Sequence, residues 1–353
     1  AGHYEFIYKA KGKNNIWGYA EKYGFTIRKA WYDTWIFLIS VAITLVLLTY
    51  LFYRIRLRAI NAQKVKLEQQ VQERTHELEE ANSEIEAQRD LATEQRDKIA
   101  VQQKSIMDSI QYAQRIQRSL LPSKRLMEQL LPEHFILFKP RDVVSGDFYW
   151  AAENNGSIYF TAADCTGHGV PGAFMSMLGM AFLNEIVNKY EDIEPHDILD
   201  KLRSHIIETL HQRGAAGETK DGMDMVMCRI DKGRRHLHFA CANNPLYLVR
   251  DGELIETKGE KMPVAIHDSM EPFRLRTHEI QPGDKIYIFS DGYADQFGGP
   301  KGKKFMYKRL RELLLDTRDQ SMEKQGIILE ETIEEWKGDI QQIDDIVVIG
   351  IQF

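Results

Sequence analysis

Between Arg54 and Arg118 the chain contains neither glycine nor proline, and most of its residues are good helix formers. Such a run predicts one continuous helix, extending roughly 100 Å at ~1.5 Å per residue. Val71, Leu78, Ile85, Ala92, Ile99 and Ile106 recur every seven residues, the a column of a coiled coil. The matching d column reads Leu67, Arg74, Ala81, Gln88, Gln95 and Gln102, so half of the seam is polar and the pairing is weak. A solvated single helix is the other reading. Directly upstream, Trp35–Tyr53 carries no charged residue and is long enough to cross the ~30 Å core of a bilayer. Trp31, Tyr32 and Trp35 at one end, and Tyr50 and Tyr53 at the other, read as interfacial belts. Arg54, Arg56, Arg58, Lys64 and Lys66 follow, against Lys22, Arg28 and Lys29 before it, which places the C-terminal side in the cytoplasm. A buried core helix would not carry these flanks.

The 353 residues suffice for one large domain plus accessories. A charged fraction of 28% and a net charge of −6 argue against general nucleic-acid binding. Cys165, Cys228 and Cys241 show no metal or disulfide spacing and read as reduced thiols. The chain begins with Ala, without a signal peptide, and reads as a fragment of a longer one. His3–Ala10 partly alternates like a strand, and Lys11–Asn15 reads as a turn before Ile16-Trp17. Together with AWYDTWIF, residues 1–30 resemble the end of the β-sandwich domain on the extracytoplasmic side of bacterial two-component-like sensors.

The segment Ser109–Pro122 links the helix to a globular part, residues 119–353, with Pro122 and Pro132 marking the transition. Strands are expected over 158–163, 223–230, 235–240, 246–250, 285–290 and 346–351, with Asp251-Gly252 as a two-residue hairpin turn. Helical periodicity covers 170–190, 195–212, 304–316 and 322–337. Antiparallel strands with helices clustered between them predict an α+β fold, a layered β-sandwich flanked by helices. The chemistry concentrates where strands end. Asp147 follows Ser145-Gly146 and Asp164 ends the run Ile158–Ala163, the two separated by a predicted hairpin; Asp291 follows Lys285–Ser290; Asp344-Asp345 precede the last strand. Several buried carboxylates brought together need cations to neutralise them. Oxygen ligands without His or Cys suit Mg²⁺ or Mn²⁺, not Zn²⁺, and suggest a binuclear hydrolytic site.

FKPRDVVSGDFYW, ADCTGHGVPGAFMS, NNPLYLVR, SDGYADQFGG and DDIVVIG occur in this order across residues 138–350, with QRSLLP just before them. The set resembles the metal-dependent (PPM) serine/threonine phosphatases of the bacterial SpoIIE/RsbU type. The resemblance implies a central β-sandwich holding two Mn²⁺ or Mg²⁺ ions at one edge. It implies that Asp164 bridges the metals with the backbone carbonyl of Cys165 as a further ligand, that Asp291 and Asp344 hold one metal, and that Asp147 serves the second or its water shell. Asp345 is set aside, because the family varies more at that position. Metal-activated water then attacks phosphorus without a protein nucleophile, and no Cys-x₅-Arg loop is present. Each residue also has a plainer reading. Asp147 and Asp291-Gly292 could be turn residues, and His168, a candidate general acid, could simply start a helix. Arg141, a candidate for substrate phosphate, could form a surface ion pair. The Cys165 thiol is not expected to act as a nucleophile. Two loops, Phe297–Lys304 (FGGPKGKK) and Gly214–Asp224, could shape the entrance to the site and select a protein substrate.

Membrane helix, coiled coil and cytoplasmic enzyme also describe a sensor histidine kinase. However, Asn184 follows the candidate Asp-x-Gly-x-Gly box where a kinase has its asparagine before it, and His76-Glu77-Leu78 lacks the usual proline. A catalytically inactive pseudophosphatase acting as a binding module is the second alternative, opposed by aspartate at all four ligand positions. The expected protein is a single-pass phosphatase of the bacterial inner membrane with its catalytic domain in the cytoplasm. It is a homodimer through the coiled coil of residues 54–118, acts on a phosphoprotein such as an anti-sigma-factor antagonist, and binds no nucleic acid.

Overall fold

The computed structural model describes residues 1–214, 220–231, 233 and 235–353. It divides into two compact units, Ala1–Ile99 and Ala100–Phe353. In the first, β1 (Gly2–Tyr8) and β2 (Glu21–Ile27) form an antiparallel hairpin, where the sequence had shown only the first strand. A 3-10 turn, Trp31–Asp33, leads into α1 (Trp35–Leu120), whose last turns belong to the second unit. The absence of glycine and proline is realised as one unbroken helix. Its first part is long and apolar enough to cross a membrane, and none of that apolar window is buried. Val71, Leu78, Ile85, Ile99 and Ile106, the seven-residue column, are exposed in the single chain.

The second unit continues with α2 (Lys124–Leu130), β3 (His134–Lys139), β4 (Phe148–Asn154), β5 (Ser157–Cys165), α3 (Gly169–Lys189), α4 (Pro195–Thr209), β6 (Met223–Ile230) and β7 (His236–Ala242). It is completed by β8 (Leu246–Arg250), β9 (Glu253–Thr257), β10 (Arg276–Glu279), β11 (Lys285–Phe289), α5 (Gly292–Asp295), β12 (Phe297–Gly298), β13 (Lys303–Lys304), α6 (Met306–Asp316), α7 (Met322–Lys337) and β14 (Ile346–Gln352). Two five-stranded sheets result, ordered β10-β7-β6-β5-β4 and β3-β14-β11-β8-β9. Every pairing within them is antiparallel.

Period-two alternation decides which side chains meet. Phe160, Val226, Cys228, Ile286, Ile288, Val347 and Ile349 fill the space between the sheets. Phe148, Trp150 and Tyr159 face Met180, Leu183, Leu202 and Ile206 of α3 and α4. On the far side Tyr287, Phe289 and Val348 meet Leu310, Leu314, Leu329 and Ile333 of α6 and α7. The architecture is helix, sheet, sheet, helix, the layered sandwich the sequence predicts. Because β5 and β14 lie inside their sheets and are covered on both faces, they read as continuous apolar runs and were the clearest strands in the sequence. α3 also passes the length and composition of a membrane helix, but half of its apolar window is buried and its neighbours are core. The Asp251-Gly252 turn joins β8 to β9 with φ of 51° and 81°, the conformation a two-residue hairpin requires. α4 ends at Thr209, three residues short of its periodic pattern. Of the loop Gly214–Asp224, residues 215–219 lie outside the described residues.

Candidate active site

The four sequence-predicted aspartates sit at chain segments that the sandwich brings to one end. Asp164 occupies the penultimate position of β5, opposite Asp224 of β6 in register. Asp147 immediately precedes β4, the other neighbour of β5. Asp291 lies just beyond β11, and Asp344 just before β14, its antiparallel partner. Two close backbone approaches hold these ends together. A Cβ at Gly146 would stand 2.4 Å from the Gly167 carbonyl oxygen, and one at Gly292 would stand 2.0 Å from that of Asp345. Any side chain there would drive the segments apart. Ser290, just beyond β11, is tied to β14 at the same end, its hydroxyl accepting from the Val347 N–H at 3.0 Å.

Charge is poorly compensated here. Asp147 is 2% exposed, and its Oδ2 is buried without a hydrogen-bond partner. Burial, then the charge of Asp164, raises its pKa well above the carboxylate range. Asp164 is raised well above that range too, first by burial and then by Asp291, Asp224 and Asp344. Burial and the charge of Asp344 push Asp291 up to about 6, against a hydrogen bond to Asp164 that lowers it. Asp224 is raised by burial, offset by a 2.8 Å hydrogen bond from Asn243 Nδ2. As they stand, no three His, Cys, Asp or Glu among the described residues are arranged to hold a metal ion. The donor set nevertheless fits hard cations: it is all carboxylate, its members raise one another's pKa, and a buried Oδ2 has no partner.

The other predicted residues divide sharply. Asp345 is 1% exposed, and both of its oxygens accept backbone N–H groups, Arg141 at Oδ1 and Gly146 at Oδ2, each at 2.7 Å. It braces the Asp147 loop, which gives a physical reason for setting it aside as a ligand. Arg141 is exposed, with one guanidinium N–H donated to the Ile343 carbonyl at 2.8 Å. Cys165 is buried, and burial followed by the nearby aspartates pushes its thiol well above the usual range, so the side chain stays a neutral thiol. His168 pairs through Nδ1 with Asp142 Oδ2 at 3.0 Å, both partly exposed, just before α3.

Two residues escaped the sequence reading. Asp224 gives no signal of its own, because its place opposite Asp164 depends on strand register. Gln117 sits in the last turn of α1, 4% exposed. Its amide takes the Ser145 N–H at 3.1 Å and donates to the Ser145 carbonyl at 2.6 Å and the Ser176 hydroxyl at 2.7 Å. Gln114 donates to the Val143 carbonyl at 2.6 Å. The end of α1 therefore clamps the loop two residues ahead of Asp147. Only the QRSLLP segment hinted at a role for this stretch.

The fold is that of the PP2C class of protein phosphatases. Within that class the chain belongs to the SpoIIE family: the profile for Stage II sporulation protein E (SpoIIE) matches residues 154–353. The SiaA-PP2C domain of Pseudomonas aeruginosa is 36% identical with a TM-score of 0.64, covering 71% of this chain and 98% of that one. The PP2C phosphatase domain, with a regulatory fragment, of SpoIIE from Bacillus subtilis shares the fold at 16% identity and a TM-score of 0.51, covering 63% of each chain. Phosphoserine phosphatase RsbU of Bacillus subtilis (strain 168) is 23% identical over 197 residues, or 55% of each protein. The chain thus spans about half the length of the curated relative it matches. Family membership leaves no place in residues 154–353 for a histidine-kinase domain.

Proposed function

We propose that the C-terminal unit hydrolyses phosphoserine or phosphothreonine on a partner protein at the carboxylate cluster. The observation that carries this reading is Asp147: a carboxylate almost wholly buried, with Oδ2 unpartnered, beside Asp164 and within the field of Asp344. Two Mn²⁺ or Mg²⁺ ions would satisfy it, held by Asp164 with the Cys165 carbonyl, by Asp291 and Asp344, and by Asp147. Such ions supply water activated near neutral pH and offset charge on the phosphoryl oxygens. The chain's own part is placement. Asp345 and Gln117 hold the backbone around Asp147, and the tight Gly292 turn seats Asp291 against the start of β14.

The same reading extends to the rest of the chain. Trp35–Tyr53 anchors it once in the bacterial inner membrane, the phosphatase unit faces the cytoplasm, and the exposed column from Val71 to Ile106 pairs two copies. The relative named phosphoserine phosphatase RsbU supports phosphoserine as the group removed; the partner protein proposed to carry it is an anti-sigma-factor antagonist.

The test is hydrolysis of p-nitrophenyl phosphate and a phosphoserine peptide by the full chain in detergent, with and without Mn²⁺. Asp164→Asn and Asp291→Asn should each lower kcat/KM by at least ~100-fold, more than loss of an outer-shell partner does. Calorimetric Mn²⁺ titration of the same proteins checks the ligands directly. Wild-type protein that binds Mn²⁺ but hydrolyses neither compound would make the domain a binding module.

A further inference from the structure

Beyond the carboxylate cluster the chain builds a small annex. Asp291 leads through α5 into β12 and β13, which pair Phe297 with Lys304 and Gly298 with Lys303, and then into α6. Between this hairpin and the first turns of α6 lies a groove of about 610 Å³. Phe297 and Met306 line it, 37% and 55% exposed. Met306 holds φ of +75°, a conformation that a residue with a side chain keeps only where its surroundings enforce it, and one that clusters at ligand-binding segments.

The charges lining the groove are unbalanced. Lys303, Lys304, Lys308 and Arg309 contribute four cations, and Glu312 is the single acid. Lys304 is held by Asp295 at 2.6 Å, and Arg309 lies over the Trp336 ring at 4.3 Å from its centroid. Lys308 stands 3.9 Å from Glu312, an exposed pair of little strength. Lys303 has no acidic partner among the described residues. The groove also adjoins the site. Asp295, which holds Lys304, is one helical turn from Asp291, and Tyr307, next to Met306, lies within the field of Asp291, Asp295 and Asp164.

A cationic groove with an apolar floor suits a peptide that carries acidic residues around one apolar side chain. We propose that it docks an acidic, apolar-anchored segment of the phosphoprotein substrate while the phosphorylated residue occupies the carboxylate cluster. This rests on the phosphatase reading above. A protein substrate is favoured because the ligand must reach the adjoining site as a phosphoprotein.

The experiment uses the full chain in detergent and three matched phosphoserine peptides, with neutral flanks, acidic flanks, and acidic flanks plus a leucine. The wild type should prefer the third over the first by at least tenfold in kcat/KM, through KM, and the preference should shrink as salt rises. Lys303→Glu with Lys308→Glu should erase the acidic preference, and Met306→Ala the leucine increment, all with unchanged kcat on p-nitrophenyl phosphate. Equal kcat/KM for the three peptides, or a preference that survives charge reversal, overturns the proposal. Fluorescence anisotropy with non-hydrolysable phosphonate versions separates the two claims. If nothing is hydrolysed, the phosphatase reading falls, while at least tenfold weaker binding on charge reversal still upholds the groove and unchanged binding removes it.

Discussion

Asp164 works against the fold that holds it. Burial and its acidic neighbours raise its pKa in the folded state above that of an unfolded chain. The folded protein therefore keeps extra protons across the window between the two values, and the site's contribution to stability is greatest at acid pH and is lost as pH rises. For Asp291, raised to about 6, the window runs from the ordinary carboxylate range, about 4, up to that value. In EDTA at pH 7, Asp164→Asn should melt above the wild type, with a gain of roughly 0.5–2 kcal/mol. The gap should narrow from pH 7 to pH 5 as the wild-type carboxyls protonate. Differential scanning calorimetry checks this, and a variant that melts below the wild type at pH 7 in EDTA would sink the account. With Mn²⁺ added, the order at pH 7 should reverse.

At the scale of elements, the last turn of α1 and the Asp147 loop are joined by the two-way clamp between Gln117 and Ser145. Gln117→Ala leaves the buried Ser145 N–H unpaired, while the Ser145 carbonyl keeps the Ser176 hydroxyl, and should destabilise the C-terminal unit by about 1–3 kcal/mol. If the clamp also positions Asp147, the variant should bind Mn²⁺ more weakly by calorimetry; unchanged affinity with lowered stability would make it purely structural. Gly292→Ala places a methyl against the Asp345 carbonyl and should lower the melting temperature with the same loss of Mn²⁺ affinity. Elements whose information is local were legible in the sequence. β5, β11 and β14 announce themselves by apolar runs, the Asp251-Gly252 turn by its dipeptide, and the predicted aspartates by standing at strand ends. β10, only Arg276–Glu279 with alternating exposure, and β3, at the edge of its sheet, carried too little periodicity. Asp224 and Gln117 matter through register and through contacts across the fold, which spacing along the chain does not encode.

For the whole molecule, the half-polar seam of α1 makes a specific prediction. If the column from Val71 to Ile106 pairs two copies as proposed, replacing Gln88, Gln95 and Gln102 by Leu should tighten self-association, read by sedimentation equilibrium in detergent. A variant that associates no more tightly than the wild type would remove this column as a pairing seam. The uncompensated carboxylates have a consequence beyond catalysis. A ligand that binds only the folded form stabilises it by RT ln(1 + [L]/Kd), about 2.7 kcal/mol at one hundred times Kd. On the proposed reading, stripping divalent cations would remove the reagent and the support together, and the loss of stability would be larger at pH 7 than at pH 5. Shortage of manganese or magnesium would then be felt as fewer surviving copies, cleared by proteases, as well as slower ones. The abundance of the protein would then become a slow gauge of the metal supply, written in the same aspartates that would use it.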